Sequence, residues 1–301
     1  MKKLLLAFSM ILSLFFFVSC AKDDYKLKIA GPSGAPVMAV ANALDSEKQT
    51  LNLNLEASAL NPLFVAGEKD IIIAPINLGA NLYSKNGNYK LATVLTWGNL
   101  FLVSKANLSA VTDLNNKDLV LFGEGTINDI VVKKALEGIT YNAIYLGSTQ
   151  ATQAQLLSDT ENKVYLVAEP AFSAAKAKLG NYSSYSIQDL FKEKTNGNYG
   201  FAQAGLFVNA KTAEAHPSVI KDFLNDVKKS CELTVSDKEL IADKSNALGI
   251  TTPKAVLVQA LPGCNIKYVS AKDAKKEIEA LANLNLKLFG GELPKDEFYY
   301  A

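Results

Sequence analysis

The chain contains no arginine, so its 31 permanently basic residues are all lysine. That absence removes the planar fork that grips a carboxylate, sulfonate or phosphate at two points. An anion is left with backbone amides, hydroxyls and lysine. Histidine is reduced to one residue, His216, in Ala215-His216-Pro217-Ser218 at the start of a predicted helix, where an exposed position is expected. With His216 discounted, no Ser/His/Asp or Cys/His set can be assembled. Cysteine is scarce as well: the three present form no CxxC and no Cys/His cluster, so no metal site and no cofactor is expected. Charge of one sign is also missing, with 31 basic against 30 acidic residues and a formal charge of +1, which excludes a basic surface for nucleic acid. No apolar run reaches the roughly 20 residues that cross a bilayer as a helix. There is no internal repeat.

What is present begins with a leader. Lys2 and Lys3 precede an apolar run over 4–18 that ends in Ser19 and Cys20 and is followed at once by Lys22, Asp23 and Asp24. This is the pattern of a secretory signal, predicted to span 1–19 and to be removed. Phe17-Val18-Ser19-Cys20 resembles the lipobox of bacterial lipoproteins, with Phe17 in place of the commoner Leu, and the resemblance implies lipidation of Cys20. Each buried CH₂ of an acyl chain contributes about 0.8 kcal/mol, so the body is expected to be tethered to the membrane rather than embedded in it. Loss of Lys2 and Lys3 turns the net charge slightly negative. An exported chain meets conditions that permit disulfides. Pairing of Cys231 with Cys264 is therefore expected, with two buried free thiols as the alternative.

Beyond the leader, short apolar strands alternate with amphipathic helices, the signature of helices on both faces of mainly parallel sheets. Strands are predicted at 25–30, 51–56, 70–74, 90–96 and 100–104, then at 118–122, 143–146, 164–168, 201–209 and 266–269. Ile71-Ile72-Ile73 suits a strand buried on both faces. Helices are predicted from 36 to 44, from 61, and over 126–136, 149–157 and 170–178, with a polar loop at 192–199 and mostly helix beyond 209. The order predicts a discontinuous layout: 21–105 plus 209–301 form one lobe and 106–208 the other. Two extended crossings, 100–104 and 201–208, form the hinge.

Three phrases together resemble the ABC-transporter substrate-binding proteins of the nitrate, sulfonate and thiamine-precursor group. They are Gly31-Pro32-Ser33-Gly34-Ala35-Pro36 after the first strand, Gly67-Glu68-Lys69-Asp70-Ile71-Ile72-Ile73-Ala74-Pro75 around the third, and Val167-Ala168-Glu169-Pro170-Ala171. The resemblance covers nearly all of the chain beyond the leader. It implies a two-lobed α/β clamp of the type II periplasmic-binding-protein kind, with mixed, mainly parallel sheets, together with a permease and an ATPase as partners.

In open α/β sheets, ligands bind beyond the carboxyl ends of strands, where loops meet helix N-termini. That rule nominates Ser33, Gly34 and Ala35, where glycine permits close backbone approach and Ser33 either caps the helix or donates to a ligand. In the second lobe it nominates Thr126 and Asn128 in Gly123-Glu124-Gly125-Thr126-Ile127-Asn128, and Ser148 in Gly147-Ser148-Thr149. Asn77, Thr96, Trp97, Glu169 and Gln203 complete the set. The amide of Asn77 serves a polar ring or acid unless it is only a cap. Trp97 either stacks on a planar ligand or packs against the hinge. Glu169 either accepts from an amine or ring N–H, or complements a helix dipole.

The function expected is capture of a small molecule between the lobes and its delivery to an ABC importer, by a monomer held outside the cytoplasm on the cell membrane, or on the periplasmic face where an outer membrane exists. A heteroaromatic or amine-bearing solute is favoured over a simple oxyanion because arginine is absent. Two alternatives belong to other classes. One is an enzyme on the same scaffold, for which Glu124 and Glu169 are the available carboxylates. The other is a surface antigen or adhesin, which would not need a glycine-rich loop in each lobe.

Overall fold

The computed structural model describes residues 23–55 and 57–300. The leader, the lipobox and Cys20 lie outside the described residues. The strands fall into two separate sheets. The first sheet contains β1 (Lys28–Pro32), β2 (Thr50–Leu55), β3 (Ile71–Pro75), β4 (Tyr89–Thr96), β10 (Ala204–Asn209) and β11 (Ile266–Ser270), in the order β11-β4-β10-β3-β1-β2. The second contains β5 (Leu100–Ser104), β6 (Asp118–Phe122), β7 (Asn142–Leu146), β8 (Val164–Ala168) and β9 (Ser183–Ser186), in the order β7-β6-β8-β5-β9.

Both sheets are mixed. Strands β1, β2 and β3 run parallel, as do β6, β7 and β8. The crossing strands β5 and β10 pair antiparallel on both sides, and β11 joins β4 antiparallel, so antiparallel pairing takes a larger share than the strand–helix alternation suggested. A strand that enters from the other lobe runs opposite to the local βα series, and this produces the mixture.

Strand pairing also shifts the lobe boundaries. Strand β5 was expected to end the first lobe at 105 but belongs to the second sheet, and β10, expected to end the second lobe at 208, belongs to the first. The chain therefore changes lobes in the short connectors Trp97-Gly98-Asn99 and Gly200-Phe201-Ala202-Gln203, rather than along the strands.

Alternation within the central strands explains the layering. Ile72 and Ala74 of β3 face one apolar cluster while Ile71 and Ile73 face another, the double burial expected of the isoleucine run. In the second sheet Leu119 and Leu121 of β6 face the first of these clusters, and Val120 faces a smaller one with Tyr165, Val167 and Phe172. The larger cluster passes between the sheets through Trp97, Leu100, Ile187 and Phe201. The lobes have separate sheets, yet the hinge between them is packed like a core.

The helices are α1 (Ala35–Val40), α2 (Ala57–Ala66), α3 (Ile76–Asn86), α4 (Ile127–Ala135), α5 (Thr149–Ser158), α6 (Ala171–Lys176), α7 (Ile187–Thr195), α8 (Ala210–Ala215), α9 (Pro217–Ser236), α10 (Lys238–Ala247), α11 (Lys254–Ala260) and α12 (Lys275–Ala282). Helix α2 starts ahead of the position expected at 61. Strand β9 and helix α7 replace what the sequence suggested was irregular chain before 200.

The expected disulfide is not formed. Cys231, on α9, and Cys264, in the 3₁₀ turn Leu261–Cys264, are free and buried in different apolar clusters. Each packs as a small apolar group. The Cys231 thiol reaches the Ala39 carbonyl at 3.5 Å, and burial pushes its pKa up to about 12. Burial pushes Cys264 higher still.

Candidate functional site

Strand register places the candidate loops on two facing edges. In the first sheet Ala204 pairs with Pro75 on one side and Thr96 on the other, so the ends of β3 and β4 share an edge, and the parallel strand β1 brings Pro32 to it. In the second sheet Leu100 pairs with Ala168 and Phe122 with Leu146, which aligns the ends of β6, β7 and β8 with the start of β5. Only Trp97-Gly98-Asn99 separates Thr96 from Leu100. The carboxyl edges of the two parallel series therefore lie on either side of the hinge, and the loops at 33–35, 75–77, 123–128, 147–149 and 169 sit at those edges.

The hinge is held by its polar side chains. Asn99 is buried, and its Nδ2 donates to the Glu169 carbonyl at 2.9 Å while its Oδ1 accepts from Gln203 Nε2 at 2.9 Å. The Glu169 N–H returns a bond to the Asn99 carbonyl at 2.9 Å. Gln188 Oε1 accepts from the Leu100 N–H, and Asn265 Nδ2 donates to the Trp97 carbonyl at 2.7 Å. The crossings also touch directly. A Cβ on Gly98, at φ 92°, would lie 2.5 Å from the Phe201 ring, and a Cβ on Gly200 would overlap the Trp97 carbonyl oxygen. Sequence reasoning proposed Gln203 for the ligand but missed Asn99, Gln188 and Asn265. An amide side chain beside a glycine at a lobe crossing is the signal that would have marked Asn99; Gln188, inside α7, and Asn265, after Cys264, carry no such mark.

Several candidates are occupied by structure. Trp97 is 0 % exposed, and its Nε1 donates to the Lys267 carbonyl at 3.0 Å. Its ring lies 4.5 Å from that of Tyr199, and the Lys267 ammonium stands over the Tyr199 ring at 4.4 Å. Trp97 thus packs against the hinge and has no face free for a ligand, which settles the two roles set out for it. Glu169 is likewise sealed. Its carboxylate accepts from the Ser173 N–H at 2.9 Å and hydroxyl at 2.8 Å, with Lys176 Nζ at 3.6 Å, and burial pushes its pKa up against the pull of these partners. The expectation that it meets a ligand amine is corrected: the carboxylate turns back onto the start of its own helix.

Ser33 does not cap α1. Gly34 holds the cap position at φ 92°, and Ser33 is left exposed at the rim with Ala35 buried behind it. Thr126 caps α4, accepting from the Asn128 N–H at 3.3 Å and donating to the Gly123 carbonyl at 2.6 Å. Ser148 caps α5 through the Ala151 N–H at 3.2 Å. Asn77 is half-buried in the first turn of α3, whose leading N–H donates to the Gln203 carbonyl at 3.0 Å. Thr96 is different: it is 0 % exposed, and its hydroxyl has no hydrogen-bond partner among the described residues.

The 123–128 turn is stiffened from below by Asp129, which accepts from the Gly125 N–H at 3.1 Å, Tyr145 Oη at 2.6 Å and Lys133 Nζ at 2.8 Å. Burial opposes its ionisation, but these partners outweigh that and hold it below the usual carboxylate range. None of the cleft loops carries a lysine. Their charges are Glu124, which is exposed, and Glu169, which is sealed.

His216 lies elsewhere. It sits half-buried at the start of α9, with Nδ1 2.7 Å from Asp23 Oδ2 and its ring stacked on Tyr25 at 3.8 Å, rather than standing exposed. Tyr25 in turn donates to Asp70, just before β3, at the edge of the first sheet opposite the cleft. A hollow of about 620 Å³ beside Lys105, Asn107 and Ser183 is also remote, at the far edge of the second sheet. There Lys105 Nζ is spent on the carbonyls of Leu157 and Asp159. Among the described residues no group of three or more His, Cys, Asp or Glu is placed to hold a metal ion, and no helix is long and apolar enough to cross a membrane.

No protein-family model matches the chain, and no curated protein matches it by sequence. Solved structures do. The crystal structure of an ABC transporter from Parabacteroides distasonis superposes with a TM-score of 0.78 at 24% identity, over 92% of this chain and 99% of that one. The periplasmic aliphatic sulphonate binding protein from Escherichia coli gives a TM-score of 0.69 at 13% identity, covering 92% of each chain. The ligand binding component of an ABC-type import system from Staphylococcus aureus, solved with zinc bound, gives 0.65 at 18% identity over 91% of this chain and 96% of that one. The fold is that of the periplasmic binding proteins.

Proposed function

We propose that the chain is an extracytoplasmic solute-binding lipoprotein, anchored through Cys20, that captures a small molecule between its lobes and hands it to the permease of an ABC importer. The observation that carries this reading is the meeting of two strand-end edges across a pair of short connectors, in a fold similar over almost its full length to import-system binding components. Rim hydroxyls and amides at Ser33, Asn77 and Asn128 are the groups available to a solute, and the buried Thr96 hydroxyl behind them becomes available only where the lobes part.

Loop charge favours one chemical class. With no arginine in the chain and no lysine on these loops, an anion would meet helix N-terminal amides and hydroxyls but no positively charged loop side chain, beside the exposed carboxylate of Glu124. A neutral or cationic solute, heteroaromatic or amine-bearing, suits such a surface. The sulphonate named for the Escherichia coli protein is an anion and does not.

Thermal-shift screening of the mature body against parallel sets of neutral, cationic and anionic metabolites tests both parts. A specific solute at about 100 times its Kd contributes about 2.7 kcal/mol of stability. Hits among neutral or cationic compounds, recovered chemically unchanged, support the proposal. Hits confined to anions overturn the solute class, and turnover of a hit replaces binding with catalysis.

A further inference from the structure

Glu169 belongs to the second lobe, but part of its seal comes from the first. A Cβ on Gly263, in the 3₁₀ turn Leu261–Cys264, would lie 2.9 Å from both Cγ and Oε1 of Glu169 and 3.3 Å from Cδ. The turn therefore rests directly on the carboxylate, and only glycine leaves room for it. Beside this contact α11 of the first lobe packs against α6 of the second. Here the lobes already touch, at one side of the hinge, and the group trapped in the seam is an acid whose side chain is 1 % exposed.

We propose that the Gly263–Glu169 contact is a proton-sensitive latch between the lobes: it is made when they close, and ionisation of the carboxylate weakens it. The proposal rests on the two-lobed clamp reading and adds to it a control on closure. Opening the seam lifts Gly263 away and returns the carboxylate to water, where it ionises in its ordinary range near 4.5. In the closed seam, burial raises that value. The closed form thus binds a proton more tightly than the open one, and its advantage is greatest at low pH. As pH rises from 4.5 through the raised value the advantage falls, and it levels off once both forms are ionised.

Two titratable groups stand by the carboxylate, Lys176 on its own helix and Cys264 across the seam. The Lys176 ammonium lies 3.6 Å from the carboxylate and lessens the burial penalty without removing it. Cys264, on the turn, has a thiol pushed far up by burial and stays neutral. The titration is therefore that of Glu169.

Small-angle X-ray scattering of the solute-free body from pH 5 to pH 8 tests the latch without any ligand, so its result is separate from that of the solute screen. For the unaltered protein the radius of gyration is expected to rise with pH. Glu169→Gln, which keeps an acceptor for Ser173 and carries no charge, is expected to hold the low-pH radius throughout. Gly263→Ala is expected to show the larger radius even at pH 5, with circular dichroism confirming that it is folded. Identical pH profiles for the unaltered protein and Glu169→Gln, whether flat or rising, overturn the proposal. A folded Gly263→Ala with the unaltered protein's radius at pH 5 overturns it as well.

Discussion

At the scale of single residues, the structure separates side chains that hold the fold from those left over for binding. Trp97 belongs to the first group, since its ring and its N–H are both used inside the hinge. Trp97→Ala is expected to cost about 3–5 kcal/mol in urea unfolding, the range for deleting a large buried aromatic. Thr96 belongs to the second. Its buried hydroxyl is already unpaired, so Thr96→Val is expected to change stability by less than about 1 kcal/mol, or to raise it, while weakening affinity for any solute that uses the hydroxyl. Asp70 accepts from the Lys28 N–H at 2.7 Å, Thr212 Oγ1 at 2.6 Å and Tyr25 Oη at 3.0 Å in a buried setting. Asp70→Ala leaves those donors unmatched, and a loss of about 3 kcal/mol is expected in the same assay. The sequence made the residue types at the rim legible, because strand-end loops could be located. It could not show which of two partners a serine, tryptophan or glutamate would choose. Ser33, Trp97 and Glu169 all depended on neighbours distant along the chain.

At the scale of elements, what periodicity could find was found: the isoleucine strand, the βα series of the second lobe and the late strand β11. Strand β9 and helix α7 were missed because Ser183-Ser184-Tyr185-Ser186 has no apolar alternation and α7 is mostly polar. A local signal did exist. Ser186 precedes Asp189 by three residues and accepts its N–H at 3.2 Å, a helix-start pattern that leads into Leu190 and Phe191. The lobe boundaries were misplaced for a different reason. A crossing strand looks the same in sequence whichever sheet it joins, and pairing alone assigns it. The connectors, by contrast, carry a sharp requirement for glycine. Gly200→Ala forces a methyl onto the Trp97 carbonyl and is expected to lower stability by about 3 kcal/mol, measured by thermal or chemical unfolding, although the residue lies in a loop.

At the scale of the whole molecule, the two edges of the first sheet have different work. One faces the cleft. The other holds the start of the described chain through Asp23, Tyr25, Asp70 and His216, so the proposed anchor would join the body on the side away from the loops. Substituting His216 is accordingly expected to leave solute affinity unchanged. The continuous apolar packing through Trp97 and Phe201 means that the proposed closure would bend a packed hinge rather than swing free domains. The most direct measurement of the central claim is hydrogen–deuterium exchange with and without the solute found by thermal shift. Protection is predicted at 33–35, 75–78, 123–128 and 147–150 together, in both lobes at once. Protection confined to one lobe, or centred on the far edges near Lys105 or His216, would contradict capture between two facing halves.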